Sequence, residues 1–591
     1  MFLITTAEQR FWKPEEPTLF LGEWCKVYSQ KEVWSKLDYQ VLPYHGADRS
    51  KTYQDYCYSK KIYERILNEL SRRLNDTHNV NYSVKYWRIL LGFWLATFTE
   101  ICLDRYRSIS QAIESGRVKN TWIGEYEPGA FIPMGSGEFC DFFCKDAYNH
   151  FLYDFFIRAL NGFRWEVKDS ERPKNSLVGE QAIHRLGSKD SLIKTMGYWS
   201  KLVSGVTQSV VFFNSYIPPV GLIRLQLALG QIPSPYQVSS GRHTTTDTGN
   251  LPINFAIRDK LRLKKSDDLF ENLVNKLIHV QIPKVYVEGY RETSRAAMEV
   301  FPKKTRAIIT ATHNTSELFK FWAGHQVDKG TKLILTQHGG NIGDGLWSSN
   351  DDRELAIANR YFTWGWSRKD TDKTVAVPAP MLDRSKGRIR PEPDGDILCI
   401  TASFPRYPYA MVSMPTGPLV LDTLGEQNKF FNSVSREVYK LLVLRLFPVK
   451  RGWEEKMRWL HIQPSLRTYR GTKTMCNQLN KSRLCVCFYN GTPMLEVFAS
   501  NFPTVVFFNP NNCELNESAQ PYFDELREAG ILFDDPESAA SLVNKVYQDP
   551  VSWWRTEKVQ RAKDRFCNQY AKCESDWIPT WKKEILKVIN E

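Results

Sequence analysis

Long apolar runs are missing from this chain. Its most apolar stretch, Ile89 to Thr99, is bounded by Arg88 and Glu100. It has about half of the ~20 residues a membrane-spanning helix needs, so it reads as a helix buried in protein. The opening MFLITTAEQRFW carries Glu8 and Arg10, which is not the layout of a signal peptide. The 12 cysteines among 591 residues lack the recurring spacing of a zinc site. Cys485 and Cys487 share one face of an apolar run and read as core thiols; reduced cysteines fit a cytosolic protein. There is no basic tail. The formal charge of +13 is spread along the chain as a solvated surface, so nucleic acid is not an expected partner. Neither a P-loop nor the dinucleotide glycine pattern is present, which excludes those two phosphate cradles.

Alternating apolar strands and capped helices are there instead. Leu484 to Pro510, LCVCFYNGTPMLEVFASNFPTVVFFNP, reads as strand, tight loop, helix and strand. Leu484 to Tyr489 has the continuous apolarity of a parallel strand covered on both faces. Asn490 and Gly491 interrupt it, Thr492 stands as N-cap, and Pro493 takes the first helical position. The N-terminus of such a helix lies at the carboxyl edge of its sheet, where α/β folds bind phosphorylated ligands. Glu496, one turn in, is within reach of a ribose hydroxyl. An ordinary capped α/β repeat explains the same residues.

The composition, 42% hydrophobic and 13% aromatic, supports filled globular cores, and the length requires more than one. Expected strands include Phe2–Thr5, Leu19–Leu21, Val210–Tyr216, Arg306–Thr310, Lys332–Thr336, Tyr361–Trp364 and Thr374–Val377. Long helices are expected over Tyr53–Asn75 and Tyr82–Ser108. Residues 166–190 and 233–250 read as polar loops. The charged stretch RSKGRIRPEPDGD, 384–396, reads as a linker between an N-terminal domain, 1–383, with helical insertions and a second domain, 397–550. Within the second, a helix is expected over Gln427–Leu446 and strands over Trp459–Gln463, Leu484–Phe488, Thr504–Phe508 and Ile531–Phe533. Residues 551–591 read as terminal helices that pack back on the first half.

Three further motifs follow expected strands. LILTQHGGNIGDG brings Gln337, His338, Gly339 and Gly340 together, with Asp344 shortly after. A histidine at a strand's carboxyl end serves as acid–base group or phosphate ligand, or else is bonded within a turn. Paired glycines let a backbone approach closely or take positive φ. Thr401, Ser403 and Arg406 form a hydroxyl-and-guanidinium cradle for phosphate, or a simple loop. His461 heads a His-Ile-Gln-Pro sequence. Glu288, after Val285-Tyr286-Val287, is a candidate base or a solvent-facing carboxylate at a strand end. Parallel sheets would bring these motifs to one rim of each domain.

This order of motifs resembles the GT-B glycosyltransferases, and more closely the capsule Kdo transferases and CDP-glycerol polyol-phosphate transferases. TQHGG resembles their glycine-flanked histidine motif, and NGTPMLEVFASNFPTVVF their Ser/Thr-x-x-x-E-A element. PYFDELREAGILFDDPESAASLVNKVYQDPVSWW and the opening FLITTAEQRFW resemble transferases encoded in O-antigen gene clusters, over nearly the whole chain. The resemblance implies two Rossmann-like domains facing across a cleft, with Asn490, Gly491 and Thr492 at donor phosphates and Glu496 on the ribose. His461 would meet the nucleotide phosphate, although His-Ile-Gln-Pro departs from the family's His-Pro. His338 would face the cleft from the acceptor side, with Asp344 or Glu288 as base. Such enzymes work without a bound metal or cofactor, and no Asp-x-Asp motif stands in an apt loop. The implied activity moves a sugar, such as an ulosonic acid from a CMP donor, onto a glycan or lipid-linked glycan at the inner face of the cytoplasmic membrane. Transfer of a polyol phosphate from a CDP donor is one alternative. A non-catalytic protein binding polyanions or membrane surfaces is another.

Overall fold

The computed structural model describes residues 1–168, 209–233, 251–384, 386–469 and 474–591. Most of the two expected polar loops, and Ser385 of the expected linker, lie outside the described residues. The chain is α/β, with three sheets whose named strands all pair in parallel. The first holds β1 (Phe2–Ile4), β2 (Thr18–Phe20), β3 (Tyr39–Val41), β4 (Asn120–Gly124) and β5 (Arg164–Lys168), in the order β3-β2-β1-β4-β5. The second holds β6 (Val210–Phe213), β7 (Ala307–Thr310), β8 (Lys332–Thr336), β9 (Arg360–Thr363) and β10 (Thr374–Ala376), in the order β10-β9-β8-β7-β6. The third holds β11 (Asp396–Ile400), β12 (Leu442–Arg445), β13 (Arg467–Thr468), β14 (Ser482–Cys487), β15 (Thr504–Phe507) and β16 (Leu532–Phe533), in the order β13-β12-β11-β14-β15-β16.

The central strands are the apolar runs. Ile397–Ile400 and Leu484–Cys487 are buried throughout, as strands covered on both faces must be. The sulfurs of Cys485 and Cys487 lie 3.8 Å apart in that core, and every cysteine is free. Order reverses in the third sheet between β11 and β14, so the crevice at their carboxyl ends is a topological switch point. Thr401 and Ser403 follow one strand, Asn490 to Thr492 the other.

Each sheet with the helices packed on it forms one lobe, numbered as the sheets are, and two long helices run between the lobes. Arg49–His78 is capped by Asp48, whose carboxylate accepts from the Lys51 amide at 3.1 Å, and Val84–Glu114 by Ser83, which accepts from Tyr86 at 3.2 Å. The second is buried over most of its length, including the apolar stretch expected to be internal. No helix among the described residues is long and apolar enough to cross a membrane. The terminal helix Ile578–Asn590 lays Trp581 and Ile585 on the second sheet, with Trp581 donating to Pro378 O at 2.9 Å.

Several elements differ from the sequence reading. Before residue 384 there are two parallel sheets, where one sheet with helical insertions is expected. The additional strands are short, and β3 and β5 lie half in solvent, so they lack the apolar signature of a central strand. Trp459–Gln463, expected as a strand, is mostly the end of the helix Glu455–Ile462; Leu460 and Ile462 are exposed there, so the apolar run does not mark burial. Conversely, the expected helix Gln427–Leu446 ends in β12. Lys284–Tyr286 is a 3-10 turn, and the helix Tyr290–Val300 follows, so Glu288 does not stand at a strand end.

Candidate active site

The loop after β8 is where the second and third lobes meet. Gln337 shapes it: its amide donates to Gly339 O at 2.8 Å, and its carbonyl accepts from Trp364 N and the Trp366 indole, each at 2.8 Å. Gly340 N–H donates to Thr492 Oγ1 at 3.0 Å. A methyl group on Gly340 would stand 2.5 Å from the Gly491 carbonyl carbon and 2.7 Å from Thr492 N, and one on Gly339 would stand 3.0 Å from Thr492 Oγ1. The paired glycines therefore admit the start of the helix Thr492–Ala499. Asp344 continues the seam, accepting from Asn490 Nδ2 at 2.7 Å, while its backbone carbonyl accepts from Asn516 N at 2.9 Å. Burial pushes the Asp344 carboxyl up, and the Asn490 bond opposes that.

His338 points the other way, into a cavity of about 290 Å³ between the lobes. The second lobe supplies Thr312, His313 and Asn314 after β7, and Asn350, Arg353 and Glu354 from the helix Ser349–Ile357. Arg88 and Phe93 come from the helix Val84–Glu114, and Tyr409 and Arg451 close the cavity from the third lobe. His338 Nδ1 is buried without a hydrogen-bond partner and lies 3.9 Å from Glu354 Oε1. Tyr361 donates to the other Glu354 oxygen at 2.9 Å.

Burial sets the protonation of this group. It pushes the Glu354 carboxyl up to about 7, opposed by the Tyr361 bond and the Arg353 charge. It lowers His338, against the pull of Asp351, and takes His313 down to about 3 with help from Lys320 and Arg353. Near neutral pH both imidazoles are uncharged and Glu354 is poised to exchange a proton, the condition general acid–base chemistry needs.

The arginines differ in their pairing. Arg88 grips Glu64 with both terminal nitrogens. Arg353 bonds the neutral Asn350 side chain and lies 5.4 Å from the Phe93 ring centroid, leaving Nη1 buried and unpartnered. Arg451 has no side-chain hydrogen bond or ion pair among the described residues, and its Nε is buried.

Other expected site residues are engaged elsewhere. Thr401 Oγ1 donates to Arg445 O at 3.3 Å, and Ser403 to the Glu455 carboxylate. Arg406 reaches across to the first lobe, donating to Trp24 O at 2.5 Å and pairing with Asp146. His461 is exposed and bonds Tyr28 of the first lobe. Glu288 is not at a strand end facing solvent: it is buried against Arg258, with a 2.7 Å contact to Nε, and accepts from Asn254 N at 3.0 Å. Glu496 is half-buried near Arg445 and Arg384, its carboxyl raised by burial against their opposing charges.

Sequence reading does not single out His313, Arg353, Glu354 or Arg451. His313 had a legible signal, since it follows the buried strand β7 just as His338 follows β8. Arg353 and Glu354 sit in an ordinary charged helix, and only folding turns them inward.

Residues 1–585 match the family model described as LIC12162 family transferase. No curated protein matches the chain. Among solved structures, MurG of Acinetobacter baumannii superposes with a TM-score of 0.32 at 12% identity, covering 67% of this chain and 96% of MurG. HepE of Anabaena, in complex with UDP, gives 0.34 at 10% identity, covering 65% of this chain and 100% of HepE. UDP-GlcNAc 2-epimerase of Neisseria meningitidis, bound to UDP-GlcNAc, gives 0.30 at 10% identity, covering 65% of this chain and 100% of that one.

Proposed function

This chain belongs to the LIC12162 family of transferases, and on that premise we propose that it moves a glycosyl unit from a nucleotide-activated donor onto a bacterial surface glycan. The donor we favour is a CMP-linked ulosonic acid. The observation that carries the reading is the cavity at the carboxyl edge of the second sheet, where a carboxyl titrating near 7 faces an unpartnered imidazole nitrogen and the third lobe closes the space.

In this reading Glu354 is the general base. It takes the proton of the acceptor hydroxyl as that oxygen bonds to the anomeric carbon; the bond from that carbon to the phosphate oxygen breaks, and the nucleotide leaves with the electron pair. His338 orients the hydroxyl or meets the departing phosphate. The bonds of Asp344 and Glu288 within the protein make them weaker candidates for the base than Glu354. The nucleotide is assigned to the third lobe at the strand-order reversal beside Thr401, with Glu496 on the ribose; Asn490, Gly491 and Thr492 reach it only if the seam with Asp344 and Gly340 opens. Helix and loop amides, not a metal, are proposed to steady the phosphate.

A thermal-shift panel of CMP-, CDP-, UDP- and GDP-linked compounds tests this, because a ligand of the folded state raises the melting temperature with occupancy. A CMP-sugar should give the largest rise, and the product should have the mass of a glycoside. A CDP-polyol response with a phosphodiester product would move the assignment to polyol-phosphate transfer. No response to any nucleotide would sink both.

A further inference from the structure

The cavity holds more positive charge than the protein neutralises. Arg88 is matched by Glu64, but Arg353 has only the neutral Asn350 as polar partner, and Arg451 has none among the described residues. The only carboxylate lining the space among the described residues is Glu354, already held by Tyr361. A guanidinium does not escape burial by losing its proton. Both residues are half-buried, with Arg353 Nη1 and Arg451 Nε shielded from water and unpartnered, so the pair is short of a counter-ion at this cavity. The planar N–H fork selects oxyanions of carboxylate or phosphate type. At about 290 Å³ the cavity lies at the small end of ligand pockets, which run from about 300 to 1,000 Å³. It suits one sugar unit better than a whole nucleotide sugar.

We propose that this cavity binds an oxyanion-bearing group of monosaccharide size, held between Arg353 of the second lobe and Arg451 of the third. Neutral His313 and Asn314 offer hydrogen bonds to its hydroxyls, and Phe93 and Tyr409 supply apolar walls. Because the two guanidiniums come from different lobes, occupancy ties the lobes together. The inference rests on the transferase reading in taking this cavity as the substrate site; it adds that Arg353 and Arg451 are the groups that hold the acid of the sugar there.

Calorimetric titration of the full chain with glucuronate, glucose, inorganic phosphate and CMP tests it. Glucuronate should bind and glucose should not. Arg353→Met and Arg451→Met should each weaken glucuronate by roughly 10- to 100-fold. Arg451→Met should leave the melting temperature of the free protein unchanged, since that side chain makes no hydrogen bond or ion pair among the described residues; it carries the test should Arg353→Met, which also loses the Asn350 bond, lose folding. Competition of glucuronate by phosphate but not by CMP assigns the anion to the sugar, and competition by both assigns it to the donor phosphate. Equal binding of glucose and glucuronate, no binding of any anion, or affinities within about twofold in both variants would overturn the proposal. Arginine-dependent glucuronate binding in a protein that no nucleotide compound stabilises would keep the oxyanion site and remove the transferase reading. Stabilisation by a nucleotide sugar with no arginine effect would do the reverse.

Discussion

The loop after β8 builds two neighbouring regions of opposite character. On one side Gly339 and Gly340 seat the start of the helix Thr492–Ala499 so closely that no side chain fits between them, and Asp344, Asn490 and Asn516 extend the seam with polar bonds, although Asp344 Oδ1 and Asn490 Oδ1 are buried without partners. On the other side His338 opens onto a cavity where His338 Nδ1, Arg353 Nη1 and Arg451 Nε lack partners. Buried polar atoms are normally paired. Space is what separates the two: the seam is filled by its own backbone, and the cavity has room beside its unpartnered nitrogens. The difference also separates two positions that a glycine-flanked histidine conflates: the glycines join the lobes, and the histidine faces the cavity.

The sharpest way to break this contrast is to remove the proposed base. Glu354→Gln keeps the Tyr361 bond and should lower kcat/KM by about 10²- to 10⁴-fold with the melting temperature unchanged. In the unaltered enzyme kcat/KM should climb with pH through about 7 as Glu354 ionises, and the variant should lose that limb. A variant with full activity would move the base out of the cavity. His338→Ala should also depress turnover strongly without unfolding the protein.

On the structural side, Glu100 is the next test. Its carboxylate accepts from Met411 N at 3.0 Å and Ser349 Oγ at 3.1 Å, tying all three lobes, and burial pushes its pKa up to about 7. The unfolded value is near 4.3, so between these limits the folded state holds a proton the unfolded state has released. Stability from this group is therefore present below about pH 4 and lost as pH rises towards 7. Glu100→Gln should abolish the loss, gaining on the order of 3 kcal/mol above pH 7 and nothing at pH 4. Urea titrations at the two pH values decide it, and an equal gain at both would show that ionisation is not the cause.

Gly340→Ala probes the seam itself. With the new methyl 2.5 Å from backbone, one lobe must shift, at about 1–3 kcal/mol. The melting temperature should fall while binding of small anions in the cavity persists. An unchanged melting temperature would mean that the lobes do not sit this close in solution.

How much of this was legible beforehand depends on how each residue acts. Buried central strands such as Lys332–Thr336 and Leu484–Cys487 announce themselves, because coverage on both faces demands unbroken apolarity. The first sheet does so only in part: β1 and β2 were legible as Phe2–Thr5 and Leu19–Leu21, while the short, half-wet β3 and β5 were not. His338 was readable from its place after a strand. Glu354, Arg353 and Arg451 were not, because a charged residue on a helix or loop looks the same facing a cavity as facing water. Arg406 shows the converse: a residue that reads as a phosphate ligand pairs across a lobe boundary with Asp146, and no local pattern distinguishes the two.

His461 gives the smallest effect and sharpens the comparison from outside both regions. The resemblance assigns it to the nucleotide phosphate, yet it is exposed at the end of the helix Glu455–Ile462 and spends Nδ1 on Tyr28. A single exposed hydrogen bond on a surface helix is worth little, so His461→Ala should change stability by no more than about 0.5 kcal/mol. Donor affinity, measured by the same thermal shift, should stay within about twofold, well under the tenfold that a lost charge-assisted phosphate contact would bring. If the donor instead binds tenfold more weakly, His461 must leave Tyr28 to reach it, and the first and third lobes must part when the nucleotide arrives.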